Sequence, residues 1–359
     1  MIINLYNKKH LIKIDTDAEF SSDYQEICDK IKSLHLSNNE INISLPFADV
    51  HTHGAMGFDF SDASEDQMKL IDKFYLDNGI GFVLPTLVAL SREDYKKQIT
   101  SILNIIKKGN TSFIGINIEG PFINSDKKGA INDKNIVPID LNLAKELWEI
   151  SEGNIKLMTV APELENFDKL AEFAENKFII SLGHSCADYE IAVKALEFNS
   201  VNHITHLFNA MNSLHHRNPS LIGAAMENSC MKEAICDGVH LNDGIIKMIF
   251  RLMSDEIVIV SDSVSACGLK DGVYKLGGLD VYVNNQKATL KNGTIAGSCK
   301  SISEQVKHLK ALNISNEKIL YSACELPLKS INISYPNLEN SNRFNILDSD
   351  FKLIEKYGY

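Results

Sequence analysis

Eight short, continuously apolar runs, rich in Val, Ile and Phe, set the rhythm of this 359-residue chain and most narrowly restrict its fold. They end near His53 (LPFADVHTHG), Pro85 (GIGFVLPT), Glu119 (FIGINIEGP), Pro162 (IKLMTVAP), His184 (FIISLGHS), His206 (NHITHLFNA), His240 (EAICDGVH) and Asp262 (EIVIVSDS). A strand that is apolar at consecutive positions has both faces covered, the condition of a parallel sheet flanked by helices. Segments of helical length, such as 65–78, 93–108, 143–151 and 187–198, fall between most of the runs. Eight strand–helix units over roughly 250 residues fit a (β/α)8 TIM-type barrel. An open doubly wound sheet is the second fit, but no Gly-x-Gly-x-x-Gly turn follows the first run.

Polar residues favour the barrel, whose chemistry sits at the C-terminal ends of several strands. Six of the eight runs end in His, Glu or Asp, more than eleven histidines spread at random would give. His51 and His53 stand two apart, on one side of an extended strand, where two imidazoles can grip one ion. An isolated His-x-His is more often a hydrogen-bonded core feature; it gains weight from the other strand ends. Glu119, His184 and His206 add a carboxylate and two imidazoles, and the set of five suits a divalent transition metal such as Zn, Fe or Mn. Such an ion brings the pKa of its water to about 7. Asp262 ends the eighth run, next to the first once the barrel closes, and is the candidate general acid/base.

The two ends look different. Strand-like pieces occur at Ile2–Tyr6 and Leu11–Ile14. Beyond Asp262, residues 274–283 and 287–290 alternate like antiparallel strands, with turns at Gly277-Gly278 and Asn284-Asn285. Helical pieces at 303–312 and 316–324 follow, and 344–354 returns to strands. The two ends and the insertion are expected to build one small β layer: residues 1–46 with 330–359 and 273–296 as a β domain, and 47–329 as the barrel. The formal charge of −11 argues against nucleic acid and anionic membranes as partners. No apolar run approaches a membrane span, and the first residues lack the zones of a signal peptide. Seven scattered cysteines without a C-x-x-C suit a reduced cytoplasm.

In order, HTHG, IEGPF, KKGA, LGHS, THLFNAM, DGVH and SDS resemble the N-acetylglucosamine-6-phosphate deacetylase family of the amidohydrolase superfamily, from about Ala48 to Leu309. The resemblance implies a metal-dependent barrel with a small β-sandwich, usually a homodimer, that removes acetate from a phosphorylated amino sugar. It implies Glu119, His184 and His206 as the principal metal site, His51 and His53 as a second-metal pair, hence one or two ions per subunit. It implies Asp262 as the catalytic aspartate and His240 as a contact to the scissile amide. Ala130 of KKGA, Asn209, Ala210 and the Ala296-Gly297-Ser298 segment are implied as substrate contacts, and Arg217 as the phosphate-binding arginine, often supplied by the neighbouring subunit. Two positions depart from the family pattern, each replacing a histidine: Asn117, and the apolar Ile131 after KKGA. Within the enzyme class the alternative is another acylated amino sugar phosphate, such as the galactosamine epimer. Outside it, the alternative is a sugar-phosphate binding protein without catalysis.

Overall fold

The computed structural model describes residues 2–7, 10–15, 40–334 and 343–358. Eight parallel strands hydrogen-bond in chain order: β1 (Phe47–Thr52), β2 (Ile80–Leu87), β3 (Ile116–Glu119), β4 (Ile155–Val160), β5 (Ile179–Leu182), β6 (Val201–Ile204), β7 (Met231–Ala234) and β8 (Ile257–Ile259). The segment after β8 joins β1, through Asp262 N–H to His51 O at 2.9 Å and His53 N–H to Ser263 O at 2.8 Å. Asp49 helps at this seam by accepting the Ser261 N–H and hydroxyl. The expected TIM-type barrel is therefore the observed one.

One helix follows each strand: α1 (Glu65–Asp77), α2 (Arg92–Lys108), α3 (Leu141–Ile150), α4 (Phe167–Ala174), α5 (Tyr189–Leu196), α6 (Ser220–Glu227), α7 (Asp243–Leu252) and, after the insertion, α8 (Ile302–Ala311). Their starts are written locally: Ser64, Ser91, Asp140, Asp188 and Asn242 accept the backbone N–H groups that a first turn leaves unpaired. Their apolar faces cover the strands, and all six residues of β1 are buried. Beneath the barrel, Tyr321, Leu326 and Ile331 pack on Val50, Leu84, Leu157 and Val258 and close its N-terminal end.

Strands from the two chain ends form a separate five-stranded sheet in the order Leu353–Tyr357, Phe344–Leu347, Glu40–Ser44, Ile2–Asn7 and His10–Asp15. It is tied to the barrel where Asn345 Nδ2 donates to Gly79 O at 2.9 Å. The remainder of the expected terminal layer, 16–39 and 335–342, lies outside the described residues. The insertion does not join that sheet as one layer. Its strands Gly272–Leu276, Leu279–Asn284, Lys287–Thr289 and Ile295–Ser298 bond to one another. Their Val281, Val283 and Ala288 pack on Val88, Ile123 and Val264 at the barrel's C-terminal mouth. The reason is connectivity: the insertion leaves from the loop after β8, on the face where every βα loop emerges. The Gly277-Gly278 turn is as expected, while the second turn centres on Asn285 and Gln286, one residue later, both at positive φ as a two-residue hairpin requires.

Candidate metal centre and substrate cavity

The strand ends aim the polar side chains inward. His51 lies on β1 and His53 just past it, Glu119 ends β3, His184 and His206 sit two residues beyond β5 and β6, and Asp262 three beyond β8. His184, His206 and Asp262 have φ of 49°, 28° and 46°, a region non-glycine residues rarely adopt. Three such conformations at one barrel mouth mark a site at which backbone strain is retained for side-chain placement.

The six side chains form two groups of three, Glu119–His184–His206 and His51–His53–Asp262, each with its ligand atoms within 4.8 Å of one another. Glu119 Oε1 lies 2.9 Å from His184 Nε2, 3.2 Å from His206 Nε2 and 3.5 Å from His51 Nε2. His53 Nε2 lies 3.3 Å from Glu119 Oε2 and 3.2 Å from Asp262 Oδ1. Glu119 and His53 therefore join the two groups.

These residues fit a divalent cation. His53 Nδ1 faces the Thr86 carbonyl at 3.2 Å and His184 Nδ1 the Lys127 carbonyl at 2.6 Å, so each Nδ1 carries a proton. In a neutral ring that leaves Nε2 as a bare lone pair, and both lone pairs point at carboxylate oxygens. The Nε2 atoms of His184 and His206 also face each other at 3.0 Å. Buried His51 Nε2 has no hydrogen-bond partner among the described residues. Acceptors gathered on acceptors require positive charge between them. The proton affinities agree: burial pushes Glu119 up, but His184, His206 and His51 outweigh it and hold Glu119 well below the ordinary carboxylate value. Burial likewise opposes ionisation of Asp262, and His53 and His51 overcome it. His53 is raised to about 10 because Asp262 and Glu119 outweigh its own burial.

The centre opens into a cavity of about 460 Å³ lined by Ala130, Asn209, Ala210, His240 and Gly297 among the expected contacts, together with His53, Glu119, His184, His206 and Asp262. His240 is not at a strand end; β7 stops at Ala234, and Asp237 holds the His240 Nδ1 at 2.8 Å on the loop that follows. Ile131 also lines the cavity, so an apolar wall stands where the family pattern has a histidine. Three expected contacts lie elsewhere. Ala296 is buried in the apolar cluster under the insertion, and Ser298 donates to Asp237 Oδ2 at 2.9 Å. Arg217 is exposed, its Nη1 2.7 Å from His216 Nε2, on a loop (213–218) exposed throughout and carrying Leu214 at 47% exposure.

Sequence reasoning missed Glu233, Asp237, Lys127, Asn292 and Thr294. Asp237 and Lys127 lie inside the DGVH and KKGA motifs, so a signal for them is present in the sequence. Glu233 is a carboxylate at the head of an apolar run, EAIC, a signal in its own right. Asn292 and Thr294 come from the insertion and line the cavity only because that hairpin folds over the mouth.

No protein-family model matches the chain. It is similar to the N-acetylglucosamine-6-phosphate deacetylase of Bacillus subtilis, 32% identical over 270 residues, 73% of this chain and 68% of the relative. It is similar to the enzyme of the same name from Caenorhabditis elegans, 32% identical over 316 residues, 81% of this chain and 74% of the relative. Among solved structures, that of N-acetylglucosamine-6-phosphate deacetylase from Thermotoga maritima aligns with a TM-score of 0.79 at 29% identity, over 88% of this chain and 86% of the other.

Proposed function

The chain belongs to the N-acetylglucosamine-6-phosphate deacetylase family, and from that premise we propose that it hydrolyses N-acetylglucosamine 6-phosphate to glucosamine 6-phosphate and acetate. One observation carries the reading at the level of chemistry: four imidazoles converge on Glu119 and Asp262, and three of them, His53, His184 and His206, stand at the wall of one cavity. A divalent ion held by these residues, Zn, Fe or Mn, supplies a Lewis acid and a water of lowered pKa, and the two groups of three offer one position or two. Asp262, kept ionised by its histidine neighbours, takes the proton of the attacking water and returns it to the amine as the C–N bond breaks. In its charged form, which burial opposes but Asp237 favours more strongly, His240 keeps Nδ1–H on Asp237 and has Nε2–H to donate to the oxygen on which charge develops. Asn209, Ala210, Ala130 and Gly297 shape the sugar subsite.

The phosphate needs a cation that the exposed Arg217 provides to a second copy of the chain, so the working unit is a homodimer. Support comes from the loop itself: Arg217 with His215 and His216 forms a small basic cluster on an acidic protein, beside the exposed apolar Leu214. The division at residues 46 and 330 is proposed on the separate sheet that the two chain ends form, with the insertion as a second small sheet on the barrel mouth. A cytoplasmic location is proposed on the cysteines, free at all six described positions. No described helix is long and apolar enough to cross a membrane. Ile131 favours a second reading, a related acylamino sugar phosphate such as the galactosamine epimer, because an apolar wall cannot bond a hydroxyl there.

Steady-state assay of metal-loaded protein against N-acetylated glucosamine and galactosamine, each with and without a 6-phosphate, is the test. The leading reading expects highest kcat/KM on N-acetylglucosamine 6-phosphate. Preference for the epimer installs the second reading, and equal rates with and without phosphate remove the sugar phosphate as substrate. Absence of any turnover removes the enzyme.

A further inference from the structure

Glu233 is fully buried on β7, in a barrel interior that also buries Thr159, Ser181, His203 and Thr205, neutral groups that do not balance its charge. Burying a carboxylate is strongly unfavourable unless it is paired and bonded, so its partners identify its use. Oε2 lies 2.8 Å from His51 Nδ1 and accepts the backbone N–H of His206 at 2.9 Å. His203 Nδ1 is 3.7 Å from Oε1, beyond hydrogen-bond range, and bonds Ser181 Oγ at 3.0 Å instead. No lysine or arginine pairs with Glu233 among the described residues. One oxygen thus touches a side chain of one metal group and the backbone of a ligand in the other.

From this contact we infer that Glu233 is a positioning residue for the metal centre: it fixes the His51 ring with Nε2 toward Glu119 and Asp262 and ties β1 to the strand end that carries His206. A carboxylate accepting Nδ1–H selects the tautomer whose Nε2 is an unprotonated lone pair, free to ligate, and raises the basicity of that nitrogen. It also adds a third negative charge to a centre whose acidic ligands are Glu119 and Asp262. The inference rests on the metal reading above, and deepens it by giving a role to a residue that touches neither substrate nor ion.

The test measures metal directly. Apo protein is titrated with Co²⁺, read by its visible absorption, for wild type, Glu233→Gln, Glu233→Ala, His51→Ala and the double variant His51→Ala/Glu233→Ala, with thermal unfolding of each apo form as the folding control. Loss of an outer partner of a ligating histidine costs about 10- to 100-fold in affinity. Glu233→Ala is expected to lose that much. Glu233→Gln, which keeps an oxygen for both N–H groups but removes the charge, is expected to lose less. In the His51→Ala background the second change is expected to add little, because Glu233 acts mainly through His51. Wild-type Co²⁺ affinity in both single variants overturns the inference, as does full additivity in the double variant. If Glu233→Ala does not fold, Glu233→Gln decides: unchanged affinity and an unchanged cobalt spectrum refute the proposal. Wild-type protein that binds no Co²⁺ refutes the metal reading, and this inference falls with it.

Discussion

Replacing Asp237 by Asn tests whether the loop after β7 is organised by an ion pair. Asp237 is buried, and Oδ1 accepts the backbone N–H groups of Val239 at 2.8 Å and His240 at 2.9 Å. Oδ2 faces His240 Nδ1 at 2.8 Å and accepts Ser298 Oγ at 2.9 Å. Burial pushes the carboxyl up, but His240 and these donors outweigh it and hold it at about 2. Against an ordinary value near 3.9, at 1.36 kcal/mol per unit, the charged form contributes at most about 3 kcal/mol to stability, and about 2 after the remaining solvent screening. Because the folded value is depressed, this contribution is present above about pH 4 and lost as the pH falls through about 2. His240 is raised: burial lowers it, but Asp237 prevails. Its share is present below its unfolded value near 6.5 and lost as the pH rises through its higher folded value. The pair is therefore strongest between about pH 4 and 6.5. Urea unfolding at pH 6 should show Asp237→Asn less stable by about 2 kcal/mol, with the gap closing toward pH 2 to 3. In the assay, kcat should fall more than KM rises, since His240 loses its fixed ring rather than the sugar its pocket. Equal stability at pH 6, or a gap that does not change with pH, refutes this account.

Asp262→Asn keeps the shape and removes the base, so turnover should drop by about 10²-fold or more while elemental analysis still finds metal at the Glu119 group. Arg217→Ala should raise KM for the phosphorylated sugar by about ten- to a hundred-fold, the equivalent of roughly 1.5 to 3 kcal/mol, and leave the unphosphorylated sugar's slow rate unchanged; equal losses on both would make Arg217 structural. Gly297→Ala places a Cβ 2.4 Å from Val264 Cγ1 and 2.8 Å from Asp262 O at a φ of +68°, so both melting temperature and kcat should fall. The backbone conformation alone costs about 1 to 2 kcal/mol, and an unchanged melt would show that the loop relaxes freely.

The sequence by itself determined the barrel and most of its candidate metal centre. Continuous apolar runs such as IKLMTV and FIISL can be satisfied only where helices cover both faces, and strand periodicity then fixes which end carries His51, His53 and Glu119. The caps at Ser64 and Asp188 are local chemistry and equally legible. What tertiary structure decided are pairings across distant strands. Glu233 reads as an anomaly in EAIC until β7 comes within 2.8 Å of a histidine on β1, 182 residues away in sequence. Ser298, expected at the substrate, turns to Asp237 because the insertion's last strand runs beside the β7 loop. The separation of the insertion from the terminal sheet likewise follows from where the loop after β8 emerges, a property of the closed ring that no local pattern of alternation records. Hydrophobic periodicity and capping act over a few residues and are written in the chain. The partners of a buried charge are chosen by closure of the whole barrel, because only in the folded interior does leaving that charge unpaired cost enough to matter.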